Sequence, residues 1–126
     1  MIVRTGIDLV EIHRLREINP KIRSRFLERV FTKQEILECS DSDQALSGRF
    51  AVKEAVVKAL GTGIGKVNWK DVETVSGAWG EPILHLYGKA QQFADLLGLK
   101  EWSISITDSG DLAAAVAVAI GSQITS

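Results

Sequence analysis

The chain has 126 residues, a length typical of one compact domain, so we predict a single domain over residues 1–126. Hydrophobic residues make up 45% and charged residues 25% of it, which excludes a disordered chain, and the apolar run 112–120 is too short to cross a membrane. The net charge of −1 does not indicate a class of partner. The single Cys39 fits a reducing compartment, and the N-terminus lacks a secretory signal pattern. We therefore expect a cytoplasmic protein.

The first predicted element is a buried strand over residues 2–9, which are β-branched and apolar around Gly6 and place Asp8 at the strand's end. A helical pattern follows from residue 11 until Asn19-Pro20 interrupts it. Thr32 and Glu35 have the spacing of a capping box, which predicts a short helix to about residue 39.

The longest predicted helix spans residues 44–60. Ser42 or Asp43 can cap its start, and Gly61 supplies its end. Leu46, Phe50, Val57 and Leu60 give it an apolar stripe.

The second half of the chain predicts mainly strands. Residues 69–75 and 82–86 read as a hairpin, 87–97 as a helix ended by Gly98, and 102–107 alternate at strand period. The last strand, 112–120, has large apolar residues on one face and four alanines on the other. Because both faces need cover, we predict an α+β fold in which an antiparallel sheet packs against a long helix on one side and a second copy of the chain on the other.

The segment 14–33 is locally basic, with seven cations against Glu17 and Glu28. Such a segment could bind nucleic acid, a membrane or an acidic protein, or be a solvated helix. Only Phe26 and Phe31 interleave with the cations, so base stacking is poorly supported. We favour an acidic helical protein and expect no nucleic-acid or membrane partner.

Two carboxylates could form a metal site if the fold brings Asp8 and Glu54 together, because Mg²⁺ accepts one or two carboxylates plus phosphate oxygens. Lys58 shares the helix face of Glu54, and Arg49 and Lys53 share the neighbouring face, so the helix could hold phosphate beside a carboxylate. The simpler interpretation of the spacing is an exposed Glu54–Lys58 pair worth roughly 0.2–0.5 kcal/mol. Spacing alone does not choose between these.

Other chemistries are disfavoured. The glycine-rich loop 61–65 follows a helix rather than a strand and lacks a Gly-Lys-Ser/Thr ending, which excludes a Rossmann site and a P-loop. His13 and His85 are 72 positions apart and have no cysteine or histidine partner near them in sequence, so zinc is not expected. No Gly-x-Ser-x-Gly elbow marks a serine hydrolase.

Several segments together resemble holo-acyl-carrier-protein synthases of the 4′-phosphopantetheinyl transferase superfamily. They are 6–12 (GIDLVEI), 48–55 (GRFAVKEA), 58–63 (KALGTG), Trp69-x-Asp71-Val72-Glu73, Gly80-x-Pro82 and Ser105-Ile106-Thr107. The resemblance runs in the family's order over nearly the whole chain. It implies a homotrimeric enzyme with sites shared between protomers, which would also cover the alanine-rich strand face.

The resemblance implies the transfer of 4′-phosphopantetheine from coenzyme A to a serine of acyl carrier protein, in fatty acid biosynthesis, with Mg²⁺ as cofactor. Metal-binding carboxylates fall on Asp8 and Glu54, and Lys58 falls beside the coenzyme A phosphates. These three are the expected catalytic residues. Further expected contacts are with the carrier protein (Arg14, Arg25 and Phe26), with phosphate (Arg49 and Lys53) and, from their neighbourhood, with the adenine nucleotide (Gly63, Lys66 and Thr107).

The chain departs from the family at Asp108. Many members carry histidine after Ser105-Ile106-Thr107, and Asp108 cannot serve as the same near-neutral base. Deprotonation of the acceptor serine would then fall to a metal-bound water or to Glu54. Two alternatives remain, a non-catalytic module that binds an acidic helix through 14–33, and a transferase or hydrolase that uses another nucleotide.

Overall fold

The computed structural model describes residues 1–63 and 65–123. Its elements are β1 (Ile2–Glu11), α1 (His13–Glu17), α2 (Pro20–Val30), α3 (Lys33–Cys39), α4 (Asp43–Leu60), a 3-10 turn (Trp69–Asp71), β2 (Val72–Ser76), β3 (Pro82–Leu86), α5 (Gly88–Leu96), β4 (Leu99–Ser109) and β5 (Leu112–Gly121). Among these residues, no helix has the length and apolar character needed to cross a bilayer.

The local signals explain most element boundaries. The capping box of α3 forms as predicted, with Thr32 and Glu35 each bonding the other's backbone N–H. Ser42, rather than Asp43, caps α4, and Gly61 ends it at a positive φ of 74°. Pro20 does not only interrupt a helix but opens α2 at its first turn, where its missing N–H costs nothing.

A three-stranded antiparallel sheet in the order β1-β5-β4 forms the centre of the fold, and β2 and β3 form a separate hairpin. α4 lies across one face of the larger sheet. The α+β architecture predicted from the sequence is confirmed by this arrangement.

The alanine face of β5 packs against α4, and its four alanines are at most 3% exposed. The expectation that a neighbouring protomer covers this face is therefore wrong. Small side chains let the helix come close to the sheet, so the chain covers the alanine face itself.

The opposite face of the sheet is open and carries apolar side chains, which we call the open face. On β1 and β5, five of its large apolar residues are more than a third exposed: Val3, Ile7, Leu9, Leu112 and Ile120. Contiguous exposed apolar surface of this kind marks an interaction site in soluble proteins. If a second copy covers the sheet, it covers this face.

Gly6 fixes the distance between β1 and α4. A Cβ at this position would lie 1.8 Å from the Ala55 carbonyl oxygen and 3.0 Å from the Ala59 nitrogen. Backbone atoms cannot move aside as a flexible side chain can, so the strand and the helix need glycine here.

We expect Gly6→Ala to lower the free energy of unfolding by about 3 kcal/mol, the upper end of overpacking effects, measured by urea denaturation. Gly80→Ala is the control, because Gly80 has a positive φ of 80° but a Cβ added there would have no atom within 4 Å. It should cost only about 1 kcal/mol of backbone strain. Equal losses in the two variants would show that close packing is not the reason for glycine at position 6.

Candidate active site

Asp8 and Glu54 face each other where β1 crosses α4. Asp8 is on the helix-facing side of β1, paired with Ala115 of β5, and its side chain is only 11% exposed. Glu54 precedes Ala55, the residue whose carbonyl oxygen approaches Gly6. The close contact of strand and helix therefore brings together two carboxylates that are 46 positions apart in sequence.

One oxygen of the carboxylate pair lacks the donor that a buried acid usually has. Asp8 Oδ2 is buried and has no hydrogen-bond donor among the described residues. Burial, and then the adjacent Asp8 carboxyl group, raise the pKa of Glu54 to about 7, against the lowering effect of Lys58. An oxygen-rich pair with a buried oxygen that accepts no hydrogen bond among the described residues suits a hard divalent cation such as Mg²⁺, so the residues fit the metal that the family resemblance implies.

Lys58 completes this group of charges. Its Nζ donates to Asp8 Oδ1 at 3.0 Å and to the Ile7 carbonyl oxygen at 2.9 Å, and its side chain stays 57% exposed. The pair that forms among the described residues is Lys58–Asp8, not the Glu54–Lys58 pair of the simpler interpretation. An exposed ammonium beside two carboxylates can contact a phosphate held at the same place.

Lys53 does not reach this site, which corrects its predicted contact with phosphate. Its side chain is 0% exposed, and Nζ donates to Glu35 Oε1 at 2.8 Å and to the carbonyl oxygens of Trp69 and Val72. Burial lowers the pKa of Lys53, and the Glu35 carboxylate opposes that effect. The lysine is a structural cation that joins α4 to α3 and β2.

Arg49 is also occupied elsewhere. Its guanidinium donates to Glu38 Oε1 at 2.8 Å, to the Thr74 carbonyl oxygen and to Ser76 Oγ, and its side chain is 12% exposed. The prediction that Arg49 holds phosphate is corrected for the same reason as for Lys53. Positions 49 and 53 face the β2–β3 hairpin, whereas positions 54 and 58 face β1.

A cleft of about 500 Å³ extends from Glu54 between α4 and the helices α1 and α2. Its walls are mainly apolar, and an edge-to-face aromatic contact between Phe26 and Phe50, with ring centroids 5.5 Å apart, forms part of them. Sequence reasoning missed this cleft and its residue Ser47. Ser47 lies seven positions before Glu54, so the helical period could have placed both on one face.

Some cations of the basic segment 14–33 already form ion pairs within the chain. Arg23 is paired with Asp41 and Asp43, Arg14 pairs with Glu11, and Arg16 lies 3.5 Å from Asp111. Within the basic segment 14–33, the exposed cations that form no ion pair with the described residues are Lys21, Arg25, Arg29 and Lys33. Arg14 and Phe26, two of the predicted docking residues, line the cleft, whereas Arg25 is exposed outside it.

The three residues predicted to contact the nucleotide lie apart from the pair. Lys66 lines a separate pocket beside α5, together with Lys89. Thr107 pairs with Ala114 and so belongs to the open face, on the side of the sheet away from Asp8. Gly63 is exposed in the glycine-rich loop, of which Ile64 falls outside the described residues.

A further group joins α1 to the turn between β4 and β5. His13 bonds Asp111 through both its backbone N–H and its ring, and Glu11 lies close to the same imidazole. The Asp111 hydrogen bond raises the pKa of His13. Because Arg14 and Arg16 pair with these carboxylates, we interpret the group as an ion-pair cluster that anchors α1.

Comparisons with known proteins identify the family of the chain. The family model of the 4′-phosphopantetheinyl transferase superfamily matches residues 4–117. The chain belongs to this superfamily.

Within the superfamily, the similar proteins are holo-[acyl-carrier-protein] synthases. The one from Herpetosiphon aurantiacus is 42% identical over 124 residues, covering 93% of this chain and 98% of the relative. The crystal structure of the Helicobacter pylori synthase in complex with coenzyme A has a TM-score of 0.83 at 31% identity, covering 92% of this chain and 99% of that chain. A synthase–coenzyme A complex from Chronobacterium ammoniagenes has a TM-score of 0.84 at 27% identity, covering 98% and 100%. These findings confirm the resemblance found in the sequence and the prediction of an enzyme of this type.

Proposed function

We propose that this chain transfers the 4′-phosphopantetheine group of coenzyme A to a serine of an apo-acyl carrier protein, with Mg²⁺ as cofactor, in fatty acid biosynthesis. The observation that carries the proposal is the Asp8–Glu54 pair, with its unsatisfied buried oxygen and with Lys58 beside it, in a chain similar to synthases crystallised with coenzyme A. The acceptor and the donor come from the names of those relatives. The metal comes from the chemistry of the pair.

The residues of the chain have distinct roles in the proposed reaction. The serine oxygen forms a bond to the phosphorus next to the pantetheine, the pyrophosphate bond breaks, and 3′,5′-ADP leaves. Lys58 contacts the phosphate oxygens and stabilises the charge that develops there. Asp8 and Glu54 would hold Mg²⁺, and a bound Mg²⁺ would polarise the phosphate oxygens.

We assign the acceptor of the serine proton to Glu54. The Glu54 carboxyl group faces the cleft, beside the pair where the phosphate would be held. Asp108, by contrast, is exposed near the end of β4. The proton therefore moves from the serine oxygen to the Glu54 carboxylate, and not to the residue that stands where many relatives have histidine.

We propose that the carrier protein docks on the free cations of the basic segment. Arg25 is exposed on α2 beside Lys21 and Arg29, and Phe26 supplies an apolar contact next to them. An acidic helix on these cations would lie at the mouth of the cleft, close to Glu54. Such complementarity mainly speeds association and fixes the orientation of the partner.

We also propose that the protein is a homotrimer assembled through the open face. Five large apolar side chains lie exposed there, and Thr107 lies on the same face. In a trimer Thr107 would approach the neighbouring protomer. Although Thr107 lies on the face of the sheet away from its own Asp8, it could then contact a nucleotide bound at the neighbour's site. The shared site therefore requires the trimer, and a protein that is not a trimer could not form it.

For the trimer, we expect Ile7→Glu to give a folded monomer in sedimentation velocity, because a charge replaces a side chain that is 67% exposed in one chain and buried in the assembly. Leu37→Glu is the matched control, since Leu37 is 71% exposed on α3 and away from the sheet. A wild-type protein that sediments as a fully active monomer would contradict both the trimer and the shared site.

The direct test of the function is intact mass spectrometry of an apo-acyl carrier protein incubated with the enzyme and coenzyme A, with Mg²⁺ or with EDTA. A phosphopantetheine mass gain that EDTA abolishes supports the proposal. A carrier that binds without gaining mass would favour the non-catalytic module. Activity with a different nucleotide only would favour the other transferase or hydrolase.

A further inference from the structure

The start of α1 is held by a residue from the other end of the chain. Ile12 stands at the N-cap position of α1, and its hydrocarbon side chain cannot accept a hydrogen bond. Asp111, in the turn between β4 and β5, supplies the missing acceptors. Its carbonyl oxygen accepts the Ile12 N–H at 2.8 Å, and its Oδ1 accepts the His13 N–H at 2.9 Å. The helix is therefore fixed to the main sheet through the β4–β5 turn.

The His13 imidazole lies between two carboxylates. Its Nδ1 bonds Asp111 Oδ2, and its Nε2 lies 3.9 Å from Glu11 Oε2. A neutral imidazole has one N–H and one lone pair, so either tautomer turns a lone pair toward a carboxylate. The protonated ring instead presents an N–H to both. The position therefore favours the charged form of the ring.

The elements packed against His13 bring several charges to it. These are three carboxylates and two guanidinium groups: Glu11 of β1, Asp111 of the β4–β5 turn, and Glu17, Arg14 and Arg16 of α1 itself. The helix α4 contributes Glu54 to the cleft that it shares with α1. The Asp111 hydrogen bond has the largest effect and raises the pKa of His13, although desolvation of the ring opposes it.

We propose that His13 is a pH-sensitive switch for α1: the protonated imidazole joins Asp111 to Glu11 and holds the helix on the sheet, and its deprotonation at alkaline pH loosens the helix. Because the pKa of His13 is raised in the folded chain, the stabilisation is fully present below the ordinary histidine value of about 6.5. It is lost as the pH rises through the raised pKa. The groups are at the surface, so the change is a local opening of α1 and not unfolding of the chain.

The switch has a consequence for the cleft beside Glu54. Leu15 and Ile18 of α1 form part of its wall, and Arg14, one of the predicted docking residues, also lines it. A looser α1 would place Arg14 less well, so we expect weaker binding of the carrier protein at alkaline pH. This consequence rests on the proposed function, whereas the switch itself does not.

The test is amide hydrogen exchange of α1 in the full-length protein from about pH 6 to about pH 9, corrected for the intrinsic pH dependence of exchange. Protection of the Leu15 and Arg16 amides, which donate to the Ile12 carbonyl oxygen, should fall about threefold as His13 loses its proton. His13→Gln should show the lower protection at every pH. Asp111→Asn keeps an oxygen for the His13 N–H but removes the charge, so it should also lose the pH-dependent step.

Two control variants identify the titrating group. Glu54→Gln removes an acid whose pKa is raised to about 7, and His85→Gln removes the other histidine. Both should keep the step. A step that survives in His13→Gln or disappears in Glu54→Gln would overturn the inference, as would constant protection of α1 in the unchanged protein.

The consequence for the carrier is measured separately, by isothermal titration calorimetry with an apo-acyl carrier protein. The dissociation constant should rise about threefold over the same pH range, and His13→Gln should show the higher value throughout. An exchange step without a change in affinity would support the switch and overturn its link to carrier docking. A carrier that does not bind at any pH would count against the proposed function, while the exchange step would still support the switch.

Discussion

Replacing Lys53 with alanine is expected to lower the free energy of unfolding by about 3–5 kcal/mol, because it leaves the Glu35 carboxylate buried without its cation. Both side chains are 0% exposed. Glu35 also accepts the backbone N–H groups of Thr32 and Thr74, so the unpaired charge cannot turn toward solvent without breaking the start of α3 and its contact with β2. Urea denaturation monitored by circular dichroism measures the loss.

Two further variants make this stability prediction specific. Lys58→Met removes the same charge from the same helix at a side chain that is 57% exposed, and we expect a change within about 0.5 kcal/mol. The double variant Lys53→Met with Glu35→Leu replaces the pair with apolar groups and should recover only part of the loss, because the backbone N–H groups of Thr32 and Thr74 lose the acceptor that Glu35 provides. A Lys53→Ala variant as stable as Lys58→Met would show that the buried pair contributes little.

The second large effect concerns activity. We expect Glu54→Gln and Asp8→Asn each to reduce phosphopantetheine transfer by about a hundredfold or more, because each removes a metal-binding carboxylate from the reacting phosphate. The variants should still fold, since Glu54→Gln replaces an acid whose pKa burial, and then the adjacent Asp8 carboxyl group, already raise to about 7. The measurement is initial rate by intact mass, alongside melting temperature with and without Mg²⁺.

The control for the carboxylates is Asp108→Asn. Asp108 is an exposed acid on the same sheet, and we assign it no proton transfer, so its variant should keep its rate within about twofold. A large loss of rate in Asp108→Asn would move the proton acceptor from Glu54 to Asp108. Full activity in Glu54→Gln would remove the carboxylate pair from the mechanism altogether.

Much of the fold follows from local sequence signals. Three signals each act within a few residues: the capping box at Thr32, the glycine stop at Gly61 and the strand-period alternation of 102–107. They can therefore be recognised without knowledge of the tertiary structure. The motif around Asp8 and the helix around Glu54 also located the candidate metal pair. The close contact at Gly6 joins these two segments. A glycine in a buried strand suggests that another backbone approaches it, but the sequence does not show which element that backbone belongs to.

The faces of α4 were harder to predict, because a helix surrounded by other elements has no single solvent side. Lys53 and Arg49 look like surface cations in sequence, yet α3 supplies Glu35 and Glu38 as their partners. Those acids belong to another helix, so helical spacing within α4 could not reveal them. The same limit applies to Ser47, whose surroundings depend on where α1 and α2 pack.

The alanine and glycine contact between the sheet and α4 has a consequence for how the enzyme could change. Because main-chain atoms and single methyl groups set the gap between β1 and α4, the distance between the backbone positions of Asp8 and Glu54 does not depend on adjustable core side chains. A larger residue at Ala55, Ala59 or Ala115 would push β1 and α4 apart. Asp8 and Glu54 would then separate, although neither residue is changed. Core positions distant from any reactant would then behave as determinants of metal affinity, so selection for catalysis would also constrain the smallest residues of the core.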